Sequence, residues 1–117
     1  MTYVQGFVIP VPDTKKEAYR ELAQQAGEIF RRHGVLSIVE TWGGDVPDGK
    51  LTSFPMAVKL EPGETVVFSW MIWPSKEVKE AAHTAAMKDF EAAGIMGMDI
   101  FDGKRMIFGD FEPIYEL

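Results

Sequence analysis

A chain of 117 residues with a net charge of −6 has room for one domain, residues 1–117, with a modest core that buries about 65% of the unfolded surface. Its basic residues are scattered with no basic run, which argues against nucleic acid as a partner, since such binding rests on neutralising phosphates. The absence of cysteine excludes disulfides and thiolate chemistry.

No apolar stretch approaches the roughly 20 residues needed to span a bilayer, so no membrane association is expected. The opening MTYVQGFVIPVPD lacks the basic region and long apolar core of a signal peptide. The expected compartment is the cytoplasm.

Thr2 to Ile9 is rich in β-branched and aromatic residues and reads as a first strand, stopped by Pro10 and Pro12. A helix follows. Thr14 with Glu17 predicts a capping box, with Asp13 as an alternative cap. Ala18, Tyr19, Leu22, Ala23, Ala26, Ile29 and Phe30 recur at helical spacing, and Gly34 can adopt the left-handed stop. Val35 to Trp42 is the second strand, ended by Gly43-Gly44. SFPMAVKLEPGE admits two readings, a short helix started by Ser53 and Pro55, which is favoured, or alternating strand positions at Met56, Val58 and Leu60.

Thr65 to Trp73 is the third strand. At Pro74-Ser75 the apolar period changes from 2 to 3.6, because proline cannot continue a central strand and serine caps helices well. Val78, Ala81, Ala82, Ala85, Ala86, Phe90 and Ala93 form the stripe of the last helix, stopped by Gly94. Lys104 to Phe111 is the fourth strand, introduced by the turn pair Asp102-Gly103.

The order strand, helix, strand, strand, helix, strand is the split βαβ, ferredoxin-like plan, an α+β fold with one antiparallel sheet. Right-handed connections place both long helices on one face. Yet the third strand is apolar on both faces, with Val66, Phe68, Trp70 and Ile72 on one and Val67, Met71 and Trp73 on the other. A bare apolar sheet exceeds what monomers expose. The expected solution is a homodimer packed sheet to sheet, with a barrel-like centre.

The stretches YVQGFVIPVP, ETWGGDVPDGK, ETVVFSWMIWPSKEV and FDGKRMIFGDFE resemble the bacterial family DUF1428 over nearly the whole chain. The resemblance implies membership of the dimeric α+β barrel superfamily, in agreement with the fold above. It brings no catalytic residue. The chain departs from the family pattern at Asp110, where a second glycine is commoner, and between Ala92 and Ile100.

Three residues are candidate acids or bases. Glu40 alternates with Leu36, Ile38 and Trp42, so its carboxylate shares an apolar face. Burial there would raise its pKa and suit it to general-base work; the favoured alternative is a structural ion pair with Arg105. His83 flanks the apolar stripe of the last helix, as a half-exposed residue or a proton shuttle. Asp89 falls within that stripe by angle and needs a partner if buried. The other histidine, His33, suits the negative end of the first helix.

Trp42, Trp73, Met98, Phe101 and Arg105 are candidate ligand-binding residues for a flat aromatic molecule, although aromatics at strand spacing are more often core or interface. Met96 and Met98 could form an adaptable lid. No spacing of His, Asp or Glu indicates a metal, and no glycine turn fits a dinucleotide, so no cofactor is expected.

The expected function is that of a homodimer binding a small, aromatic metabolite. The alternatives are a cofactor-independent enzyme, monooxygenase- or isomerase-like, which rests on the superfamily analogy, and a non-catalytic protein-interaction domain.

Overall fold

In the computed structural model, which describes residues 2–95 and 99–117, the first strand β1 runs from Tyr3 to Pro12. It passes through both prolines expected to stop it. The reason lies in its neighbours. Asp13 N–H bonds the carbonyl of Gly63, so odd-numbered donors on β1 face β3 (Glu64–Trp73), which accompanies β1 along its whole length. Strand β4 (Ile107–Phe111) pairs with β1 only from Val4 to Val8. Pro10 and Pro12 thus lack a donor on the side where no strand needs one.

A single 3-10 turn, Asp13–Lys15, leads into helix α1 (Lys16–Arg32). The expected capping box does not form, and no side chain caps either element. Glu17 pairs instead with Arg20 at 2.9 Å, and Asp13 accepts a hydrogen bond from the Thr65 hydroxyl at 2.5 Å, tying the turn to β3. Gly34, at φ 105°, reverses the chain into β2 (Ser37–Trp42).

Two serines cap helices as their positions predict. Ser53 Oγ accepts from Met56 N–H in the short helix α2 (Phe54–Ala57). Ser75 Oγ accepts from Val78 N–H at the start of α3 (Lys76–Ala93), which ends on Gly94 in the left-handed conformation. The last strand starts later than expected because Asp102 holds Lys104 and Arg105 in a turn through its side chain and its carbonyl.

The sheet order is β2-β3-β1-β4, with every neighbouring pair antiparallel. This is the ferredoxin-like α+β arrangement. The register puts Ile38, Glu40 and Trp42 on the same face as Met71, Ser69 and Val67, and those on the face of Gln5, Phe7 and Ile9. Helices α1 and α3 cover this face. Tyr3, Ile29, Phe30, Trp73, Ala82 and Ala86 close one core beneath them, while Ile9, Val11, Tyr19, Val67 and Ile100 form a second.

The opposite face carries Val66, Phe68, Trp70 and Ile72, so the even-numbered set of β3 is the one without long helices. It is not wholly bare. The segment after α2 folds over one end, where Val58 packs on Val8 and Val66, and Phe54 meets Phe68 edge to face at 5.6 Å. Even so Phe68 remains 43% exposed, and Phe111 is 60% exposed.

Candidate functional site

Glu40 stands on the helix-facing side of edge strand β2, directly opposite Ser69 of β3. Its partner is neither Arg105 nor any other cation. Tyr19, one turn into α1, lies buried among Ile9, Val11 and Val67 and donates its hydroxyl to Glu40 Oε1 at 2.7 Å. Helical geometry explains the meeting: Tyr19, Ala23 and Phe30 share the inward stripe of α1, and α1 crosses over β2.

Burial and the adjacent Glu40 carboxylate push the Tyr19 phenol far above its ordinary pKa, so Tyr19 is a neutral donor. Burial also raises the Glu40 pKa, against the opposing hydrogen bonds of Tyr19 and Ser69. By surface area Glu40 is nonetheless exposed, open to solvent along the outer side of β2. Tyr19 of α1 and Ser69 of β3 both meet its carboxylate. The expectation of a dry carboxylate held by an ion pair is therefore replaced by that of a half-enclosed acid at a solvent-facing groove.

The groove runs between α1 and β2 on both sides of Glu40. One part, about 370 Å³, is lined by Arg20, Ala23, Gln24, Gly27, Val35, Leu36 and Ile38; the other, about 160 Å³, by Lys16, Tyr19, Thr41, Trp42 and Val67. Arg20, Ala23 and Glu40 border both parts. Small residues on α1 make the space. A Cβ added to Gly27 would meet only Ile38 Cδ1, at 3.8 Å, so packing does not require glycine there. Lys16 places its ammonium 5.2 Å from the Trp42 ring centre, giving the groove an aromatic wall and a cationic rim.

The other candidates lie elsewhere. Arg105 is engaged in a bidentate pair with Glu64, at 2.8 and 2.7 Å, and also bonds Asp102 and the Lys59 carbonyl. These hydrogen bonds raise its pKa and, with Arg105 as first cause, lower that of Glu64. The cluster clamps the turn before β4 to the start of β3. Phe101 packs edge to face on Tyr19, at 5.8 Å, on the core side of that ring. Asp89 is bound to His33 Nε2 at 2.7 Å, an ion pair joining α3 to the end of α1 when the imidazole is protonated. Met96 and Met98 lie outside the described residues.

Trp73 is fully buried and belongs to a polar network under α3. Its indole N–H donates to Gln5 Oε1 at 2.8 Å, and His83 Nε2 meets the same oxygen at 3.0 Å. The acceptor fixes the tautomer with the proton on Nε2. Burial, then the charge of Lys79, lower the His83 pKa. Beside Gln5, Asp110 accepts from Lys79 at 2.7 Å and from Tyr3 at 3.2 Å. Burial opposes its charge, but these partners outweigh it and hold its pKa below the ordinary value. Through Gln5 the network joins β1 to Trp73 of β3 and His83 of α3.

Glu40, His83 and Asp89 thus occupy three separate settings, and of the aromatic candidates only Trp42 joins Glu40 in the groove. Sequence reading missed Tyr19, Ser69 and Gly27 as parts of the site. One signal was available: a tyrosine in the α1 stripe, a glutamate on β2 and a serine on β3 all occupy inward positions otherwise taken by apolar residues.

Among the described residues no group of three or more His, Cys, Asp or Glu side chains could hold a metal ion, and no helix is long and apolar enough to cross a membrane.

The fold defines a class, the ferredoxin-like α+β proteins. Three solved structures share it: a dimeric ferredoxin-like protein from an uncultured marine organism (9% identity, TM-score 0.64, all of both chains), Rv0793 from Mycobacterium tuberculosis (13%, 0.60, 99% of this chain and 98% of that one), and SnoaB, a cofactor-independent oxygenase from Streptomyces nogalater (12%, 0.58, 99% and 94%). At these identities the likeness is one of fold alone. Within that class the chain belongs to the family described as protein of unknown function DUF1428, which it matches over residues 2–103. It is 53% identical to the uncharacterised protein YbaA of Escherichia coli K12 over 116 residues, 99% of each chain, and equally to that of Shigella flexneri.

Proposed function

We propose that the chain is a homodimer, packed through the face of Phe68 and Trp70, whose α1–β2 groove binds a small aromatic metabolite. The observation that carries the ligand site is the Tyr19–Glu40 hydrogen bond set beside Trp42 in a largely apolar groove rimmed by Lys16 and Arg20. A few polar groups converging in an apolar cleft are the usual form of a ligand site. Trp42, Val67 and Ala23 suit a ring, Glu40 accepts from a hydroxyl or amine, and Lys16 and Arg20 suit an acidic substituent.

Ala23 provides the test, because it borders both parts of the groove and a larger side chain there fills the space beside Trp42. Native mass spectrometry of freshly purified protein should reveal a retained small molecule that is lost from Ala23→Leu. Gly27→Ala should stabilise the protein by up to about 1 kcal/mol, the ordinary penalty of a mid-helix glycine. Equal retention of the molecule by wild type and a folded Ala23→Leu would move the site away from the groove.

Glu40→Gln separates ligand contact from structure. Since the folded protein favours the protonated acid, that stability is present below the unfolded-state pKa and is lost as pH rises through the higher folded-state value. Gln mimics the neutral acid, keeps an acceptor for Tyr19, and orphans no cation. The melting temperature at pH 7 should therefore change by no more than about 2 °C, and wild type should gain on the variant as pH falls towards 4. Ligand binding should weaken. A large loss of stability at pH 7 would reveal a countercharge and return Glu40 to a structural role.

The second reading is a cofactor-independent enzyme, supported by a hydroxyl donor and a carboxylate of raised pKa side by side in the groove, on a fold that SnoaB shares. There Glu40 would take a proton from the bound ring's substituent.

A further inference from the structure

The chain beyond β4 has no home on its own protomer. Residues 112–117 follow the edge strand as EPIYEL. Ile114 and Leu117 are as open as in a free peptide, at 101% and 113% exposed, and Tyr115 is 78% exposed. Among the described residues a single side-chain hydrogen bond, Thr2 Oγ1 to Glu116 Oε1 at 2.8 Å, holds the segment near the start of β1. No residue beyond Phe111 belongs to a described core cluster. The segment leaves from the open-face side, where the Phe111 ring lies against Gly6 and Gly109.

We propose that this tail is an arm that packs on a second copy of the chain, with Ile114, Tyr115 and Leu117 covering the exposed edge of that copy's open face around Phe68 and Ile107. The inference rests on the homodimer reading above. The reach is sufficient. Face-packed sheets lie about 10 Å apart, and six extended residues span about 20 Å. The chemistry matches too, since Phe68 and Ile107 are each 43% exposed and offer an apolar surface for the three side chains. The arm starts beside that face at the β4 edge, so two-fold symmetry gives each copy one donor arm and one acceptor surface.

The test compares the full chain with one ending at Pro113, by sedimentation at several concentrations. Loss of the arm should raise the dimer dissociation constant at least roughly tenfold while the circular dichroism of the fold is retained. In parallel, Tyr115→p-benzoyl-phenylalanine in a mixture of light and heavy-isotope chains should, on irradiation, cross-link light to heavy copies at residues 54–73 or 107–111. A shortened chain that dimerises as tightly, or cross-links confined within single copies, would overturn the arm and leave the dimer standing. A full-length monomer at micromolar concentration would overturn the dimer and the arm together.

Discussion

Trp73→Ala should destabilise the fold by about 3–5 kcal/mol, the usual range for removing a large aromatic side chain from a core. Trp73 is fully buried and meets Phe30 edge to face at 5.9 Å. Its loss leaves a cavity between β3 and both long helices, and it removes the indole N–H that Gln5 accepts beneath α3. Domains of this size have total stabilities of roughly 5–15 kcal/mol, so the variant should sit near the edge of folding. Urea denaturation of wild type, Trp73→Ala and Trp73→Phe would check it. Phe should recover most of the packing but leave Gln5 without its indole donor. A loss below about 1 kcal/mol for Ala would contradict the placement of this side chain.

Trp70→Lys, only three residues earlier, should act quite differently. Trp70 alternates onto the open face, where it tilts against Phe68 at 5.5 Å. A lysine there can stay solvated in a lone protomer, so each chain should remain folded. In the proposed dimer the same ammonium would be trapped between two apolar sheets. The dimer dissociation constant should rise at least about 100-fold, equivalent to roughly 2.7 kcal/mol, as for a central aromatic contact. Light scattering would show a fall from twice the chain mass to the chain mass. If Trp70→Lys remains dimeric, the copies meet through some other surface.

The contrast between these two tryptophans marks the boundary between local and tertiary information. Alternation along Val66–Trp73 establishes that Trp70 and Trp73 lie on opposite faces, since side chains alternate on any strand. It cannot assign the helices to one face when both are apolar. That choice was made by Phe30, Ala82 and Ala86, which close over Trp73, and by α2 and Val58, which shield only one end of the other face.

The residues that join distant parts of the chain were less legible still. An ion pair was expected for Glu40, but its partner is the hydroxyl of Tyr19, which lies 21 positions away and reads in sequence as one more member of an apolar stripe. Arg105 seemed free to meet Glu40 until the fold set it against Glu64, 41 positions earlier. Asp110, which departs from the family pattern, is met by Lys79 of α3. Its cation is invisible to any argument from neighbouring residues.

The sequence by itself determined the succession of strands and helices, the serine caps, the glycine stops and the apolar character of both sheet faces. Each of these follows from interactions within a few residues of backbone, where periodicity and hydrogen-bonding options are fixed by residue type. Only the tertiary structure decided that Pro10 and Pro12 belong to β1, that Glu40 borders a groove rather than an ion pair, and that the last six residues lie open. Those outcomes depend on which strand ends where, which helix crosses which edge, and what surface remains once the core has closed. These are properties of chain segments brought together over long separations, and no local pattern encodes them.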